Sequence, residues 1–280
     1  MQESIRALKS WLFTPGNKSD RFSRAAEIHA DALIIDLEDA VAPSAKQEAR
    51  GAAIKYLGEL PRKHLPCALR VNSPTTKLGV DDLHALLSSS ATPDFVVLPK
   101  CNSSALVDLI HGLLREAHKS TEVIALIETA KAVEGLEGIL RVETKLAGLL
   151  FGAADMAADL GAETAWEPLL WVRSRVIQAA AAAGVPVLDS PYFDITNLEG
   201  LKQETKASAS LGFMGKCAIH PKQIVTINEV FTPSAEEVAK ARDILRVNQQ
   251  GVGSVDHQMV DEAVARKARL VLQRAGVAVQ

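Results

Sequence analysis

FVVLPKCNSSALVDLIHGLLREAHKSTEVIALIET, residues 95–129, is the stretch whose reading decides the fold. It opens on one apolar run, FVVLPK (95–100), and closes on another, VIALIET (123–129). Neither run alternates with polar residues, the pattern of strands buried on both faces in a parallel sheet. Between them, Ser103 to His118 spaces its apolar residues as a helix does, with Ser103 at a plausible N-cap. Strand, helix and strand in this order make one βαβ unit.

The same unit recurs in both directions along the chain. Upstream lie SWLFTPG (10–16), ALIIDLED (32–39) and CALRVN (67–72). Downstream lie LAGLLFG (146–152), VPVLDSP (185–191) and GKCAIHP (215–221). Helical spacing is read over residues 18–29, 44–58, 78–88, 131–140, 166–183 and 195–211, with a short helix over 222–230. Ser44 is a second candidate N-cap, beside Pro43. Eight such units predict a closed (β/α)₈ barrel over residues 1–231, an α/β fold of the TIM type. An open doubly wound sheet is the competing architecture, but no GxGxxG follows any strand, and GNKS (16–19) lacks P-loop spacing. HExxH and GxSxG are also absent. Residues 232–280 form a C-terminal helical extension: a charged helix from Ser234, a GVGS link, the stretch VDHQMVDEAV and a last basic amphipathic helix. An appendage of this kind is expected to cover the barrel mouth or a neighbouring subunit.

The 280 residues carry a formal charge of −3, with 48% hydrophobic and 23% charged residues, which gives no reason to expect nucleic acid as a partner. The longest apolar stretch, Val176 to Leu188, is broken by Gln178, Gly184 and Pro186, so no membrane span is expected. The apolar stretch at the start of the sequence is too short for a signal peptide's h-region, and a cytoplasmic protein is expected. Cys67, Cys101 and Cys217 form no CxxC pair and are read as reduced thiols in the core.

Barrel active sites sit at the C-terminal ends of the strands. The chemistry-bearing residues fall there: Asp36, Glu38 and Asp39, then Arg70, Lys100, Glu128, Asp155, Asp189 and His220. Glu128 and Asp155 end adjacent strands, where two carboxylates repel unless a cation lies between them or one takes a proton. Oxygen donors without a nearby Cys or His favour Mg²⁺ or Mn²⁺ over Zn²⁺. The competing reading pairs these carboxylates with Arg70 and Lys100 as rim salt bridges. Arg70 is suited to a bidentate carboxylate contact or to an oxyanion, with Glu38 or Asp39 as an alternative partner. His220 reads as a packed loop residue. Lys18 and Arg21 after Thr14-Pro15-Gly16 suit a phosphate, or a solvated helix face. The glycines of FGAADMAADLG, Gly152 and Gly161, are expected to permit close backbone approach.

Nine ordered blocks make the chain similar to a known family: KSWLFTPGN, DALIIDLEDAVAP, LRVN, VVLPK, LIETAKAV, FGAADMAADLG, RSRVIQAA, GKCAIHPKQI and FTPSAEEV. It resembles the citrate lyase β-subunit-like group of the HpcH/HpaI aldolase superfamily, which includes malyl-CoA and citramalyl-CoA lyases. The resemblance implies a TIM barrel with Mg²⁺ (or Mn²⁺) on Glu128 and Asp155, and with Arg70 on the substrate carbonyl or carboxylate. It places Glu38 and Asp39 near the metal's waters, with Glu38 carried as a catalytic residue. Thr14, Pro15, Gly16, Lys18 and Arg21 would belong to the rim that binds coenzyme A, a part of the substrate. Met259-Val260-Asp261 matches a lid motif whose Asp acts on a neighbouring subunit's site, so Asp261 is the implied acid–base. Where relatives often have Gly before that motif, this chain has His257-Gln258. The implied reaction is a reversible cleavage of a 3-hydroxyacyl-CoA thioester, in a homotrimer or hexamer. Two alternatives are a citrate lyase β subunit acting on a carrier-bound citryl thioester, and a thioester-binding relative with little catalysis. The retained tail with its MVD motif argues against the first.

Overall fold

The computed structural model describes residues 5–61, 64–249, 251, 253–256 and 258–277. Eight parallel strands close on themselves: β1 (Ser10–Pro15), β2 (Ala32–Asp36), β3 (Cys67–Arg70), β4 (Phe95–Leu98), β5 (Glu122–Ile127), β6 (Gly148–Phe151), β7 (Val187–Asp189) and β8 (Gly215–Ala218). The closing ladder sets Ser10 opposite Lys216 and Leu12 opposite Ala218. The helices of this part are α1 (Arg24–Glu27), α2 (Lys46–Gly58), α3 (Lys77–Leu87), α4 (Ser104–Glu116), α5 (Ala130–Glu134), α6 (Leu136–Ile139), α7 (Ala153–Leu160), α8 (Trp166–Ala183), α9 (Leu198–Leu211) and α10 (Lys222–Phe231). The expected (β/α)₈ barrel is the fold.

The continuous apolar runs have a physical reason here. Ala32 and Ile34, Phe95 and Val97, and Ile124 and Leu126 join one buried cluster with Trp11, Leu150, Leu188 and Cys217. They are alternate residues of their strands, so one set fills the barrel. The intervening set, such as Leu33, Val96 and Ala125, is buried too. Trp11 and Phe95 pack with ring centroids 5.4 Å apart. Burying such side chains stabilises by ~1.5–3 kcal/mol each. Ile5 and Leu8, just ahead of β1, belong to the same cluster and so lie at the end opposite the strand C-termini.

Several elements differ from their expected extents. The first helix, expected over 18–29, is a 3₁₀ turn, Ser19–Arg21, followed by the four-residue α1. Ser19, Asp20 and Ser23 are residue types of low helix propensity, which disfavours one continuous helix there. The helix expected over 131–140 breaks into α5 and α6 at Gly135. Ser44 lies inside a 3₁₀ turn (Pro43–Ala45) rather than capping α2, whereas Ser103 takes the N-cap position of α4. FGAADMAADLG carries α7, a helix not expected from the sequence, with Gly152 and Gly161 as its two boundaries. Gly161 is needed for its φ of 65° and not for close approach, since a Cβ there would meet nothing within 4 Å.

The chain forms two compact units, Met1–Ile227 and Asn228–Gln280, with the division inside α10; the extension was expected from 232. The second unit holds α11 (Ala235–Gln249), the antiparallel strands β9 (Gly253–Val255) and β10 (Gln258–Val260), and α12 (Glu262–Arg274). The hairpin was not expected from the sequence. Ser234 and Glu237 form a reciprocal capping box: Glu237 N donates to Ser234 Oγ (3.1 Å) and Ser234 N to Glu237 Oε2 (2.8 Å). Ala241, Ala268 and Leu272 form this unit's own small core. Among the described residues no helix is long and apolar enough to cross a membrane.

Candidate active site

At the C-terminal ends of the strands lies a cavity of about 210 Å³. Phe13, Asp36, Arg70, Glu128, Gly152 and Asp155 all line it.

Arg70 is fixed first. Strand register sets Asp36 directly beside Arg70. Arg70 Nε donates to Asp36 Oδ1 (2.7 Å) and Nη2 to Oδ2 (2.6 Å), the bidentate fork that planar guanidinium and carboxylate favour. Nη1 lies 3.1 Å from Glu38 Oε2, and the guanidinium carbon is 4.9 Å from the centre of the Phe13 ring. Burial works against the charge, but Asp36, Glu38 and Glu128 outweigh it and hold the guanidinium protonated. Glu38, one of the two expected partners, is therefore found beside Arg70, and Asp36 is added to it; Asp39 makes no ion pair with Arg70 among the described residues. Asp36 also ends its strand early. Its carboxylate accepts from Glu38 N (2.9 Å) and Ala40 N (3.0 Å), turning residues 37–40 out of the sheet. Asp36 was visible as a rim charge, and the signal for its role is its register opposite Arg70.

Glu128 and Asp155 are brought to the same cavity, from the end of β5 and the first turn of α7. Gly152 is what lets Glu128 in: a Cβ on it would lie 2.5 Å from Glu128 Cβ and 2.8 Å from its Oε2. Glu128 is 1% exposed, accepts from the backbone N–H of Lys100 (2.7 Å), and makes no ion pair among the described residues. Burial, with the charges of Glu38 and Asp155, pushes its carboxyl up to about 8. Lys100 Nζ instead reaches Glu38 Oε1 (3.0 Å) and stands 3.9 Å from Asp155 Oδ1. Rim salt bridging thus engages Glu38 fully, Asp155 weakly, and leaves Glu128 uncompensated. Burial also raises the Glu38 carboxyl, against the pull of Arg70 and Lys100. Among the described residues no three His, Cys, Asp or Glu groups converge as a complete metal cage. A cation here would take two protein carboxylates and draw its other ligands from solvent or substrate.

The remaining candidates scatter. Thr14 and Gly16 are buried, Pro15 is half-buried, and Lys18 and Arg21 are exposed. Asp39 lines the cavity from an exposed position. Asp189, counted with the rim, does not join the site. It is fully buried, paired with Lys216 Nζ (2.7 Å) and Arg173 Nε (3.2 Å), and bonded to the Ser208 hydroxyl. Burial works against its charge, and Lys216 and Arg173 more than offset that, holding its carboxyl below its ordinary pKa. His220 is a loop residue whose Nδ1 accepts from Lys222 N (3.1 Å). Cys67, Cys101 and Cys217 are free and buried, with Cys67 pushed up to about 12 by burial. Asp261 caps α12 in the second unit, its Oδ1 accepting from Val264 N (2.9 Å), and His257 lies outside the described residues.

Fold and rim together define a TIM-barrel carbon–carbon lyase, and comparison with known proteins agrees. The chain belongs to the HpcH/HpaI aldolase/citrate lyase family, whose model matches residues 9–221; a model for the C–C bond lyases of the TIM-barrel fold matches 165–278. It is 32% identical to an L-malyl-CoA/beta-methylmalyl-CoA lyase of Rhodobacter capsulatus, over 95% of this chain and 94% of that one. It is 33% identical to the citrate lyase subunit beta of Escherichia coli, over 98% and 95%. Among solved structures, CitE from Mycobacterium tuberculosis in complex with magnesium, acetoacetate and coenzyme A aligns with a TM-score of 0.81. That pair is 34% identical, covering 97% of this chain and 99% of that one.

Proposed function

We propose that the chain is a divalent-metal-dependent lyase that reversibly splits a 3-hydroxyacyl-CoA thioester, of the malyl-CoA or citramalyl-CoA kind, into an α-keto acid and an acyl-CoA. The observation that carries this is a charge imbalance. Among the described residues Asp36, Glu38 and Asp155 pair with Arg70 and Lys100 alone and Glu128 with neither, a formal −2 in a partly buried cup even before the exposed Asp39 is counted. One divalent ion offsets that excess, and two hard carboxylates, Glu128 and Asp155, suit Mg²⁺ or Mn²⁺. Bound there, the ion would supply Lewis-acid polarisation of substrate oxygens. The magnesium and coenzyme A of the Mycobacterium tuberculosis relative support the reading.

The chain's own residues then divide the work. Arg70, immobilised by Asp36 and Glu38, offsets negative charge that develops on the substrate without having to reorganise. Glu38 serves by holding Arg70 in place. In cleavage the carbinol O–H releases its proton to solvent water, and the electron pair of that bond forms the keto C=O. The carbon–carbon bond breaks, its pair passes into the thioester as an enolate, and a proton delivered to that carbon completes the acyl-CoA. Asp261 of a neighbouring copy is the proposed donor. Thr14, Pro15, Gly16, Lys18 and Arg21 are the proposed coenzyme A rim, with the two exposed cations taking phosphate. A homotrimer or hexamer in the cytoplasm is the proposed setting.

The test is turnover of a small panel of acyl-CoA thioesters with Mg²⁺, with and without chelator. Cleavage of a malyl- or citramalyl-type thioester that stops in chelator supports the reading; full turnover in chelator overturns the metal role. A citrate lyase β subunit remains the second reading. The Escherichia coli subunit pairs with 98% of this chain, so the presence of a tail does not separate the two. Cleavage of a carrier-bound citryl thioester in preference to the CoA panel would favour it.

A further inference from the structure

The end of β4 has a conformation that the metal pair alone does not require. Pro99 cannot donate to the ladder, and Lys100 then takes a φ of 50°, the left-handed region that a residue with a side chain seldom adopts. The turn aims the Lys100 backbone N–H at Glu128 Oε1, 2.7 Å away. It also brings the side chain back over the cup, with Nζ 3.0 Å from Glu38 Oε1 and 3.9 Å from Asp155 Oδ1. One strained residue thus touches both proposed metal carboxylates, Glu128 through its main chain and Asp155 through its charge. Strain of this kind persists where the surroundings enforce it, and it collects at functional sites.

We propose that Lys100 is a built-in counter-cation of the cup, competing with the divalent ion for Asp155 and so setting the affinity of the metal site. The inference rests on the proposed metal pair, Glu128 and Asp155. Its logic is that an ammonium and a divalent ion cannot both use the same carboxylate oxygen at close range. The two halves of Lys100 differ in their freedom. Its main chain is held by the barrel, so Glu128 stays oriented whatever the side chain does. The side chain is 41% exposed on a flexible four-carbon stem, and its ammonium hydrates readily on leaving. Glu38, the other partner of Nζ, retains Arg70 when the ammonium moves. Lys100 is in this reading a positioning residue that holds the ligands apart and aligned, then yields one of them.

The experiment uses the full chain and Mn²⁺ as the probe, with binding read by isothermal titration. Lys100→Met is expected to bind Mn²⁺ about tenfold more tightly than the parent, equivalent to about 1.4 kcal/mol. Lys100→Arg, which keeps the charge, is expected to stay within about twofold of the parent. On the unaltered protein, acylation of the Lys100 amine, followed by mass spectrometry, is expected to rise several-fold when Mg²⁺ is added, because the freed ammonium enters solvent. Equal or weaker Mn²⁺ binding by Lys100→Met overturns the inference, as does labelling that Mg²⁺ leaves unchanged or lowers. The labelling decides the matter alone if the variant does not fold. Absence of Mn²⁺ binding by the parent overturns the metal pair itself, and the inference with it.

Discussion

Two buried charge clusters lie in the same barrel, and they are built to opposite ends. Around Asp189, the cations Lys216 and Arg173 meet the carboxylates of Asp189 and Glu204, two against two. Arg173 is further held between the rings of Phe151 and Trp166, at 4.8 and 4.6 Å. Every charge there has an opposite partner, so the cluster behaves as a structural clamp. Around Glu128, four carboxylates and the exposed Asp39 meet two cations, and among the described residues the more buried of the metal pair is the one left without an ion pair. Desolvating a charge is costly unless it is paired, so an unpaired one at a cavity signals a missing positive ligand. Sealed neutrality marks a clamp, and open excess marks a site.

The contrast can be broken by variants. The largest expected effect is in Glu128→Gln, which should lose at least about 10³-fold in lyase turnover, roughly 4 kcal/mol of lost metal-assisted stabilisation. The same variant should fold as stably as the parent or more so in chelator, since it removes an uncompensated buried carboxylate; a marked loss of stability by urea unfolding would place Glu128 with the clamps. Asp189→Asn should do the reverse. It leaves Lys216 and Arg173 short of a counter-charge and should cost about 3–5 kcal/mol of unfolding free energy. Arg70→Lys keeps charge but loses the fork to Asp36, and kcat/KM should fall about 10²-fold with little change in melting temperature.

The smallest effect is in the pH dependence, and here the two clusters differ in sign. In metal-free protein Glu128 sits at about 8 against an ordinary 4.5. Its folded form therefore holds a proton that the unfolded chain releases. The stability this contributes is complete below about 4.5 and is lost as pH rises through about 8. Asp189 is lowered from 3.8, so its contribution is present above 3.8 and lost as pH falls. Urea titrations in chelator should show the Glu128→Gln advantage growing steadily between pH 5 and 8. A constant gap would remove Glu128 as its source.

The sequence made one cluster more legible than the other, for reasons of geometry. Charges that end adjacent apolar strands stand out by contrast with their neighbours, which is how Glu128, Asp155 and Arg70 were found. Asp189 stands out in the same way, but a strand residue has two faces to choose from, and nothing local says which it takes. Its partners Arg173 and Ser208 lie on helices 16 and 19 residues away in sequence, and only packing reveals them. The barrel itself was plain because its signal is repeated eight times. Elements with a single local signal fared worse. α7 was hidden because Gly152 and Gly161 look like loop residues when they are its boundaries. The hairpin of β9 and β10 was hidden because each strand has only three residues, too few to show a period.

Asp36 accepts from Arg70 Nε and Nη2 and from the backbone of Glu38 and Ala40. A carboxylate has about four lone-pair directions, and here all four are taken. This group has no acceptor left for a metal-bound water. Despite lining the cavity it is a spectator to the chemistry and a joint in the frame. The same joint couples the shape of the loop after β2 to the direction of the Arg70 guanidinium, so the two move as one part. A redesign that relaxes this loop to admit a bulkier thioester would also re-aim Arg70.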